Sequence, residues 1–243
     1  LRLQNGETIL GRSFCHSCNT PIPFYDNIPI LSYVLLRGRC RYCHQKLSVL
    51  YPVGELVSGI VFACMGIALF PPEDQHAWIR MVWLLVMMSI FIAIAIYDMM
   101  YMEIPVVLLM AGLSVSLLYA CIRAWFASGD LLSRVMSSEY LFLGALVVGS
   151  FFFALVYVSH ETWMGWGDVW LGALAGFVVG LPAILGMLTL AFGIGAIHGI
   201  ILLLIKQKQM RSQIPFGPYL VVGTFVTVFL LEMAPDYVRL MLW

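Results

Sequence analysis

The chain has 243 residues, of which 62% are hydrophobic and only 11% are charged, and its formal net charge is zero. Its mean hydropathy of +0.94 lies far outside the range of a soluble globular domain. The composition therefore excludes a soluble enzyme and predicts an all-α polytopic membrane protein.

Residues 1–51 are more polar than the rest of the chain. They hold nearly half of all lysines and arginines, and only Glu7 and Asp26 oppose that charge. The basic residues are Arg2, Arg12, Arg37, Arg39, Arg41 and Lys46. Because basic segments stay on the cytoplasmic side of a membrane, we predict a small cytoplasmic domain in 1–51 and a membrane-embedded domain in 52–243. Topology explains this charge, so we predict no nucleic-acid partner.

Four cysteines of this domain form two C-x-x-C pairs, Cys15 with Cys18 and Cys40 with Cys43, and 21 residues separate the pairs. The spacing is typical of four thiolates that enclose a tetrahedral, structural zinc ion. A domain with so little core would take most of its folding free energy from the metal, on the order of 10 kcal/mol. The alternative is two disulfides, although thiols facing the cytoplasm are usually kept reduced.

The remaining sequence predicts seven helical segments in the membrane. Six of them are close to the roughly 20 residues that cross a bilayer core, and one near 169–181 is shorter. The six lie near 52–70, 77–97, 104–126, 140–158, 183–205 and 217–234. Leu181-Pro182 divides the short segment from the next one, because proline removes a backbone donor and disfavours helix immediately before it.

Alternating these spans from a cytoplasmic amino terminus places three connections in the cytoplasm, at 98–103, 159–168 and the basic stretch 206–211. Four arginines then lie on the far side: Arg80, Arg123, Arg134 and Arg239. The other nine basic residues are cytoplasmic, which is the expected asymmetry.

Asp98 ends the apolar run Ile94–Tyr97, and Asp168 stands in Gly165–Asp168 at the mouth of another. A carboxylate beside hydrocarbon is costly, so two of them on one membrane face are a candidate functional site. Two neighbouring carboxyl groups hold one proton between them. The ionised member can then activate a water molecule while the protonated member stabilises the oxyanion of a scissile carbonyl. These residues favour peptide hydrolysis without a covalent intermediate.

Each aspartate also has a structural interpretation, Asp98 as a solvated helix end and Asp168 as an amino-terminal helix cap. Glu55 and Glu103 lie near the same predicted interface, and we interpret them as solvated or capping residues rather than substrate contacts. His198 lies within a span, and we predict a packed, hydrogen-bonded histidine rather than part of a proton path.

Ile214–Pro218 precedes the last predicted span, and its two prolines around a glycine predict a rigid turn. This turn is either a plain connector or one wall of a cleft. Trp163, Trp166 and Trp170 surround Asp168 and fit an aromatic belt at the membrane interface.

Five segments in a single order resemble type IV prepilin peptidases, the aspartic membrane proteases that remove the short basic leader from prepilins and pseudopilins. The segments are the paired-cysteine domain with Leu36–Arg41, Tyr51-Pro52 with Glu55, Asp98 with Ile104-Pro105, Gly165–Val169 and Ile214–Pro218. The resemblance extends from Cys15 to about Gly223. It implies that Asp98 and Asp168 are the catalytic pair and that the four cysteines are zinc ligands.

The resemblance also implies a place in the cell. A prepilin substrate would be cleaved at the cytoplasmic face of the bacterial inner membrane, where the zinc domain and both aspartates are expected to lie. Trp170 stands where the family usually has a lysine, and Gly54 where it has a bulkier residue. Since the family usually begins with a hydrophobic helix before the cysteine domain, we expect an eighth segment in the intact protein.

The family's second activity is methylation of the new amino terminus with S-adenosylmethionine. It is an expectation from resemblance alone, because no glycine-rich nucleotide loop is present in the sequence. Two other functions are alternatives. An ion- or proton-coupled transporter could use the aspartate pair, although both residues are predicted at one face and no inverted repeat is evident. A non-catalytic membrane zinc scaffold would tolerate substitution of both aspartates.

Overall fold

The computed structural model of the chain describes residues 13–15, 17–72, 75–126, 139–205 and 214–233. The chain divides into two compact units, Leu1–Val61 and Phe62–Trp243, whose boundary falls inside one helix. The predicted domains, 1–51 and 52–243, divide the chain where it enters the membrane, whereas the two units divide it by compactness. The predicted domain boundary therefore stays a prediction. The predicted basic connection 206–211 lies outside the described residues, as do Arg134 and Arg239.

The two cysteine pairs of the N-terminal unit occupy tight loops of the same design. The isolated β-bridges that close these loops join Phe14 to Pro21 and Arg39 to Lys46. The amide of Cys15 donates to the carbonyl of Thr20, and the amide of Cys40 donates to the carbonyl of Gln45, both at 2.9 Å. The repeated hydrogen bond presents both pairs of thiols in the same way.

The stretch between the two loops contains a short 3₁₀ helix (Phe24–Asn27) and α1 (Leu31–Leu35). The carboxylate of Asp26 accepts two hydrogen bonds from the guanidinium of Arg41, at 2.5 and 2.6 Å, which ties the 3₁₀ helix to the second loop. The carboxylate of Glu55 accepts the amide of Ile30 at 2.7 Å, immediately before α1. This contact agrees with the prediction that Glu55 is a solvated or capping residue.

Seven apolar helices follow among the described residues, where seven membrane segments were predicted. They are α2 (Leu50–Leu69), α3 (Gln75–Tyr101), α4 (Val106–Phe126), α5 (Glu139–Ser159), α6 (Trp166–Val179), α7 (Ile184–Leu204) and α8 (Gly217–Met233). Five of them, α2 to α5 and α7, are long and apolar enough to cross a membrane. The other two, α6 with 14 residues and α8 with 17, are shorter. The predicted all-α polytopic membrane architecture is confirmed.

The predicted break between α6 and α7 is present. Gly180 follows α6 with a positive φ of 78°, a conformation that costs glycine little, and a 3₁₀ turn (Leu181–Ala183) leads into α7. Pro182 lies in this turn, where the missing backbone donor costs no helical hydrogen bond.

Helices α5 and α6 pack against each other through glycines. A Cβ atom at Gly176 would overlap the carbonyl oxygen of Gly144, and a Cβ atom at Gly172 would overlap the ring of Phe152. Small residues let two helix backbones approach closely, which is how helices associate where burial from water gives no driving force. This seam fixes the position of α6, the helix that carries Asp168.

Two predicted loops around the aspartates are wrong in their limits. We expected Asp98 to begin the connection 98–103, but α3 continues to Tyr101; we expected Asp168 to end the connection 159–168, but α6 begins at Trp166. Hydropathy predicts only the segment that crosses the hydrocarbon core of the membrane. A helix can continue beyond that core into the interface, because its backbone hydrogen bonds do not depend on apolar side chains. Both aspartates therefore belong to rigid helical turns rather than to loops.

Candidate functional site

Asp98 lies in the last turn of α3 and is only 4% exposed. Its Oδ2 atom accepts a hydrogen bond of 3.0 Å from the backbone amide of Gly217, the first residue of α8. The amino terminus of α8 is the positive end of its helix dipole, and the amide of Gly217 has no partner within that helix. Both properties favour a carboxylate at this position. The interpretation of Asp98 as a solvated helix end is therefore wrong.

Asp168 lies in the first turn of α6 and is half-buried. Its Oδ2 atom accepts the amide of Gly165 at 3.1 Å, and its own amide donates to the carbonyl of Gly165 at 3.1 Å. The predicted capping interaction at the start of this helix is thus confirmed. It fixes the carboxyl group and uses only one of its two oxygens among the hydrogen bonds of the described residues.

The end of α3 and the starts of α6 and α8 meet near these two aspartates. A Cβ atom at Gly217 would lie 2.6 Å from Oδ2 of Asp98 and 3.4 Å from a methyl group of Leu171, one turn after Asp168. The connection after α3 reaches the same place, because a Cβ atom at Gly167 would lie 2.9 Å from the side chain of Ile104. Asp98 and Asp168 therefore lie where the same three helices meet.

The amide of Gly217 is a partner of Asp98 that the sequence did not predict. The signal was the turn Ile214–Pro218, but nothing in the sequence indicates that its glycine amide donates to a carboxylate 119 residues earlier. Phe216 anchors the turn, with its ring centroid 4.9 Å from that of Phe192. The turn is therefore more than a plain connector, because it supplies a hydrogen-bond donor to Asp98.

The other predicted residues lie around this centre with different roles. Glu103 is exposed in the connection between α3 and α4, as predicted for a solvated residue. The imidazole of His198 hydrogen-bonds to the hydroxyl of Tyr219, as predicted, but it is exposed rather than packed. Trp166 is 47% exposed and donates its indole N–H to Glu161 at 2.6 Å. Exposed tryptophans at this end of α6 fit an interfacial position.

The sulfur atoms of Cys15, Cys18, Cys40 and Cys43 form a separate cluster in the N-terminal unit. All four lie within 4.8 Å of one another, and the sulfurs of Cys15 and Cys43 are 3.7 Å apart. Four thiolates around one zinc ion at its usual bond length are separated by about 3.8 Å, so the cluster fits a tetrahedral metal site. All four cysteines are free thiols here, and the disulfide alternative finds no support.

The thiols of this cluster differ in their pKa values. Hydrogen bonds from Thr20, first from its side chain and then from its backbone, lower the pKa of Cys18 to about 6. The pKa of Cys43 rises to about 11: the amide of Gln45 lowers it, but desolvation and hydrogen bonds with the neighbouring thiols outweigh that effect. Four thiolates at this spacing cannot all ionise without a cation, which is the chemistry that a divalent metal supplies.

These features define an all-helical, multi-pass membrane protein with a paired-carboxyl centre and a four-cysteine cluster. The pattern of the Bacterial Peptidase A24 N-terminal domain matches residues 1–69, which include the cysteines. The pattern of the type IV leader peptidase family matches residues 85–200, which include both aspartates. The chain belongs to the type IV leader peptidase family, and it is an enzyme of the peptidase class.

Relatives from several bacteria support this assignment. The chain is 32% identical to the prepilin leader peptidase/N-methyltransferase of Aeromonas hydrophila, over 90% of this chain and 72% of the relative. It is 28% identical to the protein of the same name from Bacillus subtilis (strain 168), over 90% of this chain and 81% of the relative. No solved structure matches the chain.

Proposed function

We propose that this chain is an aspartic endopeptidase that removes the basic leader from type IV prepilins and pseudopilins, with Asp98 and Asp168 as the catalytic pair. The observation that supports the proposal is that Asp98 of α3 accepts the first amide of α8, while Asp168 lies in the first turn of α6 and its neighbour Leu171 borders the same glycine. The relatives named above are prepilin leader peptidases, which supplies the substrate class.

One carboxyl group acts as the general base, and the other donates a hydrogen bond to the substrate. Repulsion between neighbouring carboxylates keeps one proton on the pair. The ionised member takes a proton from a water molecule, whose oxygen attacks the scissile carbonyl carbon, while the protonated member donates a hydrogen bond to the carbonyl oxygen. When the tetrahedral intermediate collapses, the carbon–nitrogen bond breaks and the pair returns a proton to the leaving amine.

The hydrogen bonds of the site support this division. Each aspartate engages a backbone amide through its Oδ2 atom, Asp98 that of Gly217 and Asp168 that of Gly165. Among the hydrogen bonds of the described residues, the Oδ1 atoms remain for water and substrate. Fixing one oxygen of each carboxyl group in advance orients the other, and such preorganisation lowers the cost of reaching the transition state.

The position of the pair suits a prepilin substrate. Asp98 lies near the end of a 27-residue apolar helix, and Asp168 lies at the start of another apolar helix, so both are at a membrane surface. A prepilin has its cleavage bond between a basic leader and an apolar helix, which is at the same depth. We place this surface on the cytoplasmic side of the inner membrane, together with the N-terminal unit, because of the basic charge of residues 1–51.

The four-cysteine cluster would hold one structural zinc ion through Cys15, Cys18, Cys40 and Cys43. Bound zinc would cross-link the two loops of the N-terminal unit and would take no part in hydrolysis, because four thiolates leave it no open position for water. The chain's own contribution is the pair of matching loops that present the sulfurs at metal-binding distance.

A second candidate activity is methylation of the new amino terminus with S-adenosylmethionine. It is favoured by the names of the relatives, which are peptidase/N-methyltransferases. Incubating the purified protein with a cleaved pilin peptide and labelled S-adenosylmethionine tests it. Transfer of one methyl group to the amino terminus is expected, and an unlabelled product would refute it.

Cleavage of a leader-bearing prepilin peptide by the protein in detergent tests the peptidase proposal. Asp98→Asn and Asp168→Asn are each expected to lower the cleavage rate by about 10³-fold or more, since each removes an acid–base group. Glu103→Gln is the matched control, because it removes an exposed carboxylate a few residues after Asp98. Equal thermal stability of all three variants would show that folding is intact.

The same comparison separates the alternatives. Cleavage at the wild-type rate by either aspartate variant would refute the proposal. A transporter would lose ion-driven uptake in these variants without ever cleaving the peptide, and a zinc scaffold would be insensitive to both substitutions. Reporter fusions after Phe126 and after Ile205 test the orientation, with the first expected outside the cytoplasm and the second inside.

A further inference from the structure

The second compact unit, Phe62–Trp243, is called the membrane unit below. It has a cavity of about 500 Å³ that the proposed peptidase chemistry does not use. The end of α2, the start of α3 and the ends of α4 and α8 line it. Its polar lining consists of Arg80, Arg123, His76, Tyr119 and Glu232. A cavity of this size is in the range of small-ligand sites, about 300–1,000 Å³.

This cavity lies at the opposite membrane surface from the paired carboxyl groups. Arg80 precedes Asp98 by 18 residues on the same helix, α3. At a rise of 1.5 Å per residue the two are separated by about 27 Å, which is close to the thickness of the hydrocarbon core. A ligand in the cavity would therefore reach neither aspartate.

The two arginines of the cavity are held differently. Arg80 forms a salt bridge of 2.5 Å with Glu232, which joins α3 to α8. Arg123 has no carboxylate partner among the described residues; its guanidinium carbon lies 6.0 Å from the ring centroid of Tyr119. Among the described residues, the acidic and basic side chains of the lining are two arginines and one glutamate. Arg123 is half-buried whereas Arg80 is exposed, and a half-buried arginine at this depth normally faces an anion.

Aromatic packing holds in place the ring that lies beside the guanidinium of Arg123. Tyr119 is 5% exposed, and its ring stacks on that of Trp83 at a centroid distance of 4.0 Å with an interplanar angle of 3°. Trp83 is in turn edge-to-face with Phe177 of α6. A planar guanidinium beside this ring offers two parallel N–H donors, the geometry that suits a phosphate group.

The remaining lining is apolar and identifies the class of ligand. Leu69, Ile122 and Phe126 contribute walls to the cavity. All three belong to helices that are long and apolar enough to cross the membrane. We propose that this cavity binds the phosphate group of an anionic phospholipid, with Arg123 as its primary ligand and the acyl chains leaving along these apolar helices. Basic pockets between membrane helices recognise acidic lipid headgroups in this way.

Native mass spectrometry of the delipidated full chain in detergent tests the proposal. Phosphatidylglycerol is expected to bind more tightly than phosphatidylcholine of identical acyl chains, whose choline would face Arg80 and Arg123. Arg123→Gln is expected to lower the affinity for phosphatidylglycerol about tenfold, the value of one charge-assisted hydrogen bond, and to leave phosphatidylcholine unchanged. Arg37→Gln is the matched control, because it removes the same charge from an exposed position of the N-terminal unit.

A second variant acts in the opposite direction. Glu232→Gln releases Arg80 from its salt bridge and is expected to raise the affinity for phosphatidylglycerol severalfold. If Arg123→Gln does not fold, Arg123→Lys keeps the charge but loses the fork of donors, and it should still bind more weakly than wild type. Equal binding of the two lipids, or equal effects of Arg123→Gln and Arg37→Gln, would overturn the proposal. Displacement of the lipid by millimolar inorganic phosphate alone would assign the cavity to free phosphate instead.

Discussion

The two compact units of this chain bury their side chains in different ways. In the described part of the N-terminal unit, the buried apolar side chains are Cys15, Cys40 and Val61, whereas Phe24 is 82% exposed and Leu35 is 71% exposed. The membrane unit has a contiguous core of fully buried side chains. This core includes Leu84, Met87, Met88, Phe91, Phe152, Leu171, Met187 and Leu220.

This difference shows that the units are stable for different reasons. Few apolar side chains are buried in the described part of the N-terminal unit, so a zinc ion held at the proposed cysteine site would be its main source of stability. The membrane unit gains stability from close packing of helices through small residues and from large aromatic side chains.

On the proposed zinc site, removal of the metal should have the largest effect on stability, and that effect should be confined to the N-terminal unit. We expect a strong chelator, or Cys40→Ser, to unfold the N-terminal unit, because bound zinc supplies on the order of 10 kcal/mol to such a domain. Hydrogen exchange should rise sharply across residues 17–48 and stay unchanged in α5 and α6. Cys64→Ser is the control, since this α2 cysteine lies outside the sulfur cluster. Unchanged exchange in the cysteine loops would show that the unit folds without metal.

An added methyl group where α5 packs against α6 through glycines should destabilise the membrane unit and leave the N-terminal unit unchanged. A Cβ atom at Gly176 would meet Val148 at 2.8 Å and overlap the backbone of Gly144. We expect Gly176→Ala to cost about 1–3 kcal/mol, the usual penalty of overpacking. Gly193→Ala is the control: nothing lies within 4 Å of its Cβ position, so it should be neutral or stabilise α7 by up to about 1 kcal/mol. Thermal unfolding in detergent measures both, and equal shifts would contradict the close approach of α5 and α6.

A methyl group at the paired-carboxyl centre should affect activity more than stability. The Cβ atom of Gly217→Ala would lie 2.6 Å from Oδ2 of Asp98 and would push the carboxyl group away from its amide donor. On the proposed mechanism, we expect the cleavage rate to fall about 10- to 100-fold, the value of one hydrogen bond to a charged group. Gly193→Ala should cleave normally. A wild-type rate for Gly217→Ala would remove the argument that this amide positions Asp98.

The ion pair of the N-terminal unit should have the smallest effect, and its pH dependence has a definite sign. The Arg41 guanidinium beside Asp26, acting first through its hydrogen bonds, holds the pKa of that carboxyl below its ordinary value. A carboxyl whose pKa is lowered by folding stabilises the fold above its unfolded pKa of about 3.9, and this contribution is lost as the pH falls through the lowered value.

We therefore expect Asp26→Asn to speed zinc release to a chromophoric chelator modestly, because an exposed partner screens the interaction. The ratio of the variant and wild-type rates should stay constant between pH 7 and pH 5 and approach one only below about pH 4. Arg41→Gln should show the same modest increase. A ratio that already declines between pH 7 and pH 5 would contradict a lowered pKa.

The sequence predicted the helices well because each depends on a local property. Three kinds of pattern could be recognised within a few tens of residues: the apolar runs, the break at Leu181-Pro182 and the two C-x-x-C pairs. The limits of the helices near Asp98 and Asp168 were predicted less well, because the terminal turns extend beyond the hydrocarbon and their hydrogen bonds are not encoded in hydropathy.

Composition and spacing by themselves determined that the chain is a multi-pass helical membrane protein, that four cysteines are placed to share one metal, and that two carboxylates border hydrocarbon. Only the tertiary structure decided that the amide of Gly217, 119 residues away, donates to the carboxylate of Asp98. It also decided that Arg80, Arg123 and Glu232, from three different helices, line one cavity. The reason is that contacts between distant helices follow from how close their backbones approach, and no local sequence pattern records that distance.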